Sequence, residues 1–348
     1  MSVPYALMSG ARRARGRQFA CWSRYLVLAM ACAISAPVLA AGQAAAQSDG
    51  MALLHDVQSA ARKLDYAGVY TYQQGVALQS SRIVHLVDGT GERERIETLD
   101  GVPREFIRHN DVTQCLLPEK KLVVVEHKRG DRFPALILGE GAQIPQFYDI
   151  RPGSPGGHRV AGRECALVDL VPRDMHRYGY RLCTDTETHL LLKAQVIGPE
   201  GVIEQISFNS LQIGSQVTPD QLNPAWNIQG WKKVESVMQP VDLARNGWRI
   251  PFPPGYEPVM QVSRTMKKGR RVSQLVLTDG LAAVSVFIEP HGAGKSPPYA
   301  NEAVTTGAMN IFRTRIGDHW LTTLGEVPAQ TLREIAERTE YVPLAQHQ

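Results

Sequence analysis

Residues 80–126, SSRIVHLVDGTGERERIETLDGVPREFIRHNDVTQCLLPEKKLVVVEH, constrain the fold more than any other stretch of the chain. Short runs of alternating polar and apolar residues, Arg82–Val87, Arg93–Leu99, Glu105–His109, Thr113–Leu117 and Leu122–Glu126, each end in turn chemistry: Asp88-Gly89, Asp100-Gly101, Asn110-Asp111 and Pro118-Glu119. This spacing predicts a meander of antiparallel strands. Successive side chains of a strand point to opposite faces, so the sheet is expected to have one apolar face and one charged face carrying Arg93, Arg95, Glu97, Arg104 and Arg108. The apolar face then needs a cover: more strands closing toward a barrel, helices, or an apolar guest.

Residues 1–46 read as an export signal outside the fold. Arg12, Arg13, Arg15, Arg17 and Arg24 precede or open the apolar run Tyr25–Ala40, and Val38-Leu39-Ala40 or Ala44-Ala45-Ala46 would suit signal peptidase. An uncleaved anchor is the alternative, because the run approaches the ~20 residues that span a bilayer. Pro37 and the Ala/Gly/Gln-rich continuation favour cleavage. These five arginines stand without any Asp, Glu or Lys, so removing them takes the formal charge from +4 to −1. The remaining chain has no nucleic-acid footprint, which would need a basic face. Its length of roughly 300 residues suggests two domains.

The first domain is expected at 47–215. Met51–Leu64 places Leu53, Leu54, Val57, Ala61 and Leu64 at helical spacing, an apolar stripe suited to the sheet. After the meander, Phe133, Leu136, Leu138, Ile144, Phe147 and Tyr148 lie in a segment too broken by Gly and Pro for a strand. It is either a core plug or a lid over an apolar cavity. Residues 158–214 resume hairpins, giving a sheet of about ten strands. Within them Cys165 and Cys183 flank a strand–turn–strand pattern centred on Asp174, which sets them roughly opposite and able to form a disulfide in an oxidising compartment; the alternative is two small buried residues. Cys115 reads as a buried thiol.

A linker is expected at 216–247 and a smaller α+β domain at 248–343. Strand patterns at Val259–Met266 and Arg271–Thr278 flank a cationic turn, Lys267, Lys268, Arg270 and Arg271. LAAVSVFIEP is a buried strand, Asn301–Gly307 a short helix, Asn310–Ile316 and His319–Leu324 a hairpin, and PAQTLREIAERTEY a closing helix with Leu332, Ile335 and Ala336 on one face.

Catalytic patterns are few. Gly292-Ala293-Gly294-Lys295-Ser296 lacks the upstream glycine of a phosphate loop and runs into Pro297-Pro298. The ten histidines make no HxH, HxxxH or HExxH spacing, there is no CxxC, and there is no GxSxG elbow, so neither a metal, a cofactor nor a hydrolase is expected. Binding is the favoured class.

The runs DYAGVYTYQQG, LVDGTGERERIETLDGVPREFIRHND, YDIRPGSPGGHRVAGRECALVDLVPRDMHRYGYRLCTDTETHLLLKAQVIGPEGVIEQISF and LTDGLAAVSVFIEP resemble, in order, the RseB/MucB family of periplasmic regulators of the sigma-E (AlgU-type) envelope-stress response. The resemblance implies an α+β, mostly antiparallel fold: a LolA/LolB-like unclosed β-barrel with helices on its concave face, plus a smaller α+β C-terminal domain. It implies a partner, the periplasmic domain of an RseA- or MucA-like anti-sigma factor, shielded from a DegS-like protease so that sigma-E stays sequestered. It also implies release by lipopolysaccharide or lipid acyl chains held in the first domain, and it gives added reason to read the segment from Phe133 as a lid. The cationic turn at Lys267–Arg271 is the chosen partner surface, with a solvated hairpin tip as the alternative, and a homo-oligomer is open. A periplasmic carrier of lipid or lipoprotein is the alternative, for which the first domain alone would be enough.

Overall fold

Two sheets account for almost all of the regular structure. The computed structural model describes residues 36–127, 133–134, 141–154, 156–235, 238–265, 271–291 and 301–343, with side chains described from Asp49. Helix α1 (Ala36–Lys63) is followed by β1 (Tyr66–Gln74), β2 (Ala77–Asp88), β3 (Gly91–Thr98), β4 (Glu105–His109), β5 (Val112–Leu117) and β6 (Leu122–His127). After the short α2 (Ile144–Phe147) come β7 (Tyr148–Pro152), β8 (His158–Val160), β9 (Arg163–Pro172), β10 (Gly179–Asp185), β11 (Leu191–Gly198), β12 (Gly201–Ile213) and β13 (Lys232–Glu235). The rest comprises β14 (Gln239–Pro240), β15 (Trp248–Arg249), β16 (Glu257–Thr265), β17 (Arg271–Thr278), β18 (Ala283–Pro290), β19 (Ala303–Thr306), β20 (Met309–Ile316), β21 (His319–Gly325), α3 (Ala329–Glu337) and β22 (Glu340–Tyr341).

The first sheet has thirteen strands in the order β13-β6-β5-β4-β3-β2-β1-β12-β11-β10-β9-β7, with β8 also on β9. Its ends, β13 and β7, do not pair with each other, so the sheet is unclosed. The predicted meander is present as β2–β6. The count exceeds the expected ten because β7, β8 and β13 join. Tyr148–Pro152 forms a strand where the sequence suggested irregular structure: Tyr148 and Ile150 are buried while Arg151 and Pro152 are exposed, an alternation only five residues long, and Pro152 is tolerated because the strand lies at the edge.

Strand register corrects the expected single charged face. Arg95 lies across from Ile107 and Glu97 across from Glu105, whereas Glu94 lies across from Arg108. Arg104 and Arg108 therefore belong to the face opposite Arg93, Arg95 and Glu97. Each face buries its own ion-pair cluster, Arg95 with Glu97 and Glu105 on one side and Arg108 with Glu92 and Glu94 on the other. Pairing lets these charges be buried inside a sheet.

The helix α1 covers one face through Leu54 and Val57, packed with Tyr148, Ile150, Leu170 and Leu182, and through Ala60 and Ala61, packed with Ile83, Ile96 and Phe208. On the other face, Val217 and Leu222 cover Ala67, Val84 and Leu86. The segment 216–247 is thereby tied down along much of its length. Ala225 N donates to Glu105 at 3.2 Å, Arg95 Nη1 donates to Gln221 O at 3.3 Å, and β13 adds in parallel to β6. At its far end β14 pairs with β16 of the second sheet.

The second sheet runs β14-β16-β17-β18-β21-β20-β19. Its core joins Leu275, Leu277, Val284, Val286 and Leu321 to Leu332 and Ile335 of α3, the face that the sequence assigned to that helix. The expected short helix at Asn301–Gly307 is instead the edge strand β19, as the β-branched run Val304-Thr305-Thr306 favours.

Candidate functional site

The two sheets meet at the loop between β9 and β10, and the meeting is built around Arg177. A turn of Arg173–Tyr178 brings the Arg177 side chain out of water entirely. Its Nη1 reaches Asp279 Oδ2 at 3.0 Å, its Nε reaches Asp174 Oδ1 at 2.9 Å, and its Nη2 donates to Pro254 O at 2.7 Å. Both Arg177 and Asp279 side chains have zero exposure. The guanidinium carbon lies 4.5 Å from the Phe147 ring centre and 5.0 Å from that of Tyr256, a cation held between aromatic faces. Burial disfavours the charge, but Asp174 and Asp279 outweigh it and hold the guanidinium more firmly protonated than usual.

Asp279 is saturated. Its Oδ2 also accepts from Tyr148 OH at 2.9 Å, while Oδ1 accepts from Leu281 N and Ala282 N at 2.9 and 2.8 Å. Burial raises the Tyr148 hydroxyl well above the ordinary phenol range, so it stays a donor. His176 O accepts from Tyr256 OH and Thr331 Oγ1, each at 3.2 Å. Two glycines permit this closeness. A Cβ on Gly255 would enter the Phe147 ring, and one on Gly280 would meet Ile144 and Gly141; both residues have positive φ, +83° and +100°.

A second contact lies beside it. Glu204 of β12 accepts from Tyr72 OH and from Ala308 N, the latter at 3.0 Å, and Tyr178 OH accepts from Asn310 Nδ2 at 3.1 Å. Burial and the neighbouring Glu204 charge push Glu326 up to about 7. The Tyr180 hydroxyl is buried there without a hydrogen-bond partner among the described residues. A cavity of about 650 Å3 opens alongside, walled by Pro172, Met175 and Pro199 from the first sheet and by Thr305 and Pro328 from the second.

The residues expected to form a lid are thus divided. Ile144, Phe147 and Tyr148 come together at this junction, with Ile144 and Tyr148 fully buried. Phe133 packs between Tyr70 and Phe208, at 5.4 and 5.0 Å between ring centres, against the helix-covered face of the first sheet. Leu136 and Leu138 lie outside the described residues, as do Lys267, Lys268 and Arg270; Arg271 opens β17 and is exposed. Cys165 and Cys183 are joined in a disulfide with Cα atoms 5.4 Å apart, as diagonal rather than facing neighbours, since Cys183 lies across from Leu167. Arg177, Asp279, Glu204, Tyr256 and Glu326 were not marked by the sequence. Asp279-Gly280 looks like any turn, and nothing local ties it to a residue a hundred positions earlier.

This build defines a class: a large unclosed antiparallel sheet with a helix-covered apolar face, joined through a buried ion pair to a smaller α+β domain. Residues 49–226 match the family model of the MucB/RseB N-terminal domain and residues 242–340 that of the MucB/RseB C-terminal domain. The chain belongs to the MucB/RseB family. Sigma factor AlgU regulatory protein MucB of Pseudomonas aeruginosa is 30% identical over 300 residues, 85% of this chain and 91% of that protein. Sigma-E factor regulatory protein RseB of Escherichia coli is 22% identical over 319 residues, 88% and 96% respectively. A crystal structure of MucB in complex with MucA(peri) superposes with a TM-score of 0.65 at 27% identity, covering 85% of this chain and all of that one. The Pseudomonas aeruginosa MucA/MucB complex gives 0.67 at the same identity and coverage. No helix among the described residues is long and apolar enough to cross a membrane.

Proposed function

We propose that the protein is a periplasmic, non-enzymatic regulator that binds the periplasmic segment of a MucA- or RseA-like anti-sigma factor and shields it from a DegS-like protease. The observation that carries this reading is the likeness, over both domains, to MucB as crystallised with MucA(peri). Lipopolysaccharide or another acyl chain entering the first domain near Phe133, Leu136, Leu138, Ile144, Phe147 and Tyr148 releases the partner. Such release requires the lipid-bound form to bind the partner more weakly, and a difference of about 1–3 kcal/mol is enough for a switch. The junction favours this account because Phe147 and Tyr148 touch both the first-sheet core and Arg177, so a guest displacing them also disturbs the seat of the second domain. The turn at Lys267, Lys268, Arg270 and Arg271 is our choice of partner surface, its cations meeting acidic residues.

The competing reading is a carrier of lipid or lipoprotein, possible with the first domain alone; the extensive seating of the second domain disfavours it. A pull-down of the purified protein with the anti-sigma factor's periplasmic segment, with and without lipopolysaccharide, decides between them. Capture that lipopolysaccharide abolishes is the expected result. Absence of capture, with lipid or lipoprotein co-purifying instead, would establish the carrier.

A further inference from the structure

The β1–β2 hairpin projects an apolar tip that nothing among the described residues covers. Gln74 pairs with Ala77, so Gly75-Val76 is the whole turn, and Gly75 adopts the left-handed conformation (φ 59°) that such tightness requires. Val76 is 103% exposed and Leu78 64%. Between Asp65 and Arg82 there is no Asp, Glu, Lys, Arg or His, a run of sixteen residues in an otherwise charge-rich meander. The β3–β4 loop lies beside it: Leu99 N donates to Ser80 O at 2.9 Å, and Ser80 N donates to Asp100 Oδ2 at 2.6 Å. That loop presents a second apolar tip, Val102, at 62% exposure.

We infer that these two hairpin tips form a wedge that enters the headgroup–acyl boundary of a lipid bilayer. Exposed aliphatic side chains carry a standing hydration cost that burial in lipid removes. The uncharged run lets the first tip enter without desolvating an ion, and on the second tip the exposed Asp100, bonded to Ser80 N, is left at headgroup depth. Gln73, Gln79 and Ser80 flank it at the depth where polar headgroups would meet them, and the nearest ion pair, Arg82–Glu97, stands further back along the strands. A protein partner fits less well. A stable protein interface buries about 800 Å2 on each side, whereas these few side chains stand on two separate convex tips. A fluid lipid surface moulds to such a shape. The absence of cations on the first tip points to zwitterionic lipid being sufficient, with no need for anionic headgroups.

The test uses full-length protein carrying Val76→Trp, Val102→Trp or, as a reference in the second sheet, Val259→Trp, with phosphatidylcholine vesicles whose acyl chains are plain or brominated. Emission from positions 76 and 102, taken as the difference from wild type, is expected to move to shorter wavelength and to be quenched by the brominated chains, while position 259 is unaffected. Adding Val76→Asp and Leu78→Asp to the Val102→Trp protein is expected to weaken that quenching at least tenfold in lipid concentration. Position 76 unquenched, or quenched no more than position 259, would overturn the wedge. So would a blue shift at position 76 that appears only when a protein partner is added. All substituted side chains are exposed, so loss of folding does not intervene.

Discussion

The charge state of a single carboxyl, Glu326, is set by the seating of one sheet against the other. In the unfolded chain it titrates near its ordinary 4.5; in the fold, burial and the nearby Glu204 carry it up to about 7. The folded state thus holds this proton more tightly, so its contribution is fully present below about pH 4.5 and is lost as pH rises through about 7, amounting to about 3 kcal/mol. Buried His85 works in the opposite sense, since burial lowers its affinity for a proton and protonation below about 6.5 opposes folding. The difference between wild type and Glu326→Gln isolates the carboxyl. Urea denaturation is expected to show Glu326→Gln gaining on the wild type between pH 5 and pH 8; parallel pH profiles would show that Glu326 is not buried beside Glu204 in solution. Glu326 itself had no signature in the sequence, because its environment is assembled from β12, β1 and the loop after β21, three segments far apart in the chain.

At the scale of elements the sequence was legible wherever neighbours in the chain are neighbours in the sheet. The hairpins β2–β6 and β20–β21 carry alternation and turn residues within a few positions of each other, and their existence and order follow from these alone, although β2 begins at Ala77, five residues before the alternation at Arg82 marks it. What was not legible depends on a distant partner. The alternation of Tyr148 and Ile150 becomes a strand only because β9 offers an edge, and Lys232–Glu235 becomes one only through parallel pairing with β6. Segment 216–247 reads as a linker for the same reason: its two tethers, Val217 with Leu222 and Ala225 on Glu105, reach residues over a hundred positions away. Glu105 has zero exposure and pairs with Arg95. Substituting Glu105→Gln leaves Arg95 buried with Glu97 as its remaining charged partner, and is expected to cost about 3 kcal/mol. Proteolysis near residues 219–235 should accelerate at the same time; an unchanged cleavage rate would mean that the strap is held by apolar contact alone. The disulfide acts on a different element. Cys165→Ser with Cys183→Ser removes a cross-link of 18 residues' separation, with an expected loss of ~2–3 kcal/mol read as a lower urea midpoint.

For the molecule as a whole the question is whether two sheets behave as one body. Leu281 and Ala308, from the second sheet's connections, belong to the same core cluster as Leu54, Tyr148 and Leu182 of the first, so the apolar core runs through the junction. The Arg177–Asp279 pair completes it, and its geometry makes it costly to break from one side. Replacing Arg177 by Met retains the stem's packing on Phe147 but strands the Asp279 carboxylate, which then has only Tyr148 OH and two backbone amides. Removal of one partner of a buried pair typically costs ~3–5 kcal/mol. That cost falls on the contact between the sheets and leaves the strand ladders within each untouched, which predicts a change in cooperativity as well as in stability. Protein in which Trp22, Trp226 and Trp231 are replaced by Phe, leaving Trp248 and Trp320 in the second domain, is expected to unfold in a single transition when monitored both by tryptophan fluorescence and by far-ultraviolet circular dichroism. Arg177→Met is expected to separate the two signals, the second sheet's fluorescence changing at lower denaturant. If the probes still coincide and the midpoint moves by less than about 1 kcal/mol, the continuous apolar core suffices to couple the sheets. A lipid that disturbs Arg177 through Phe147 would then have no lever on the domain proposed to bind the partner, and the release route proposed above would have to run through the strap at 216–247 instead.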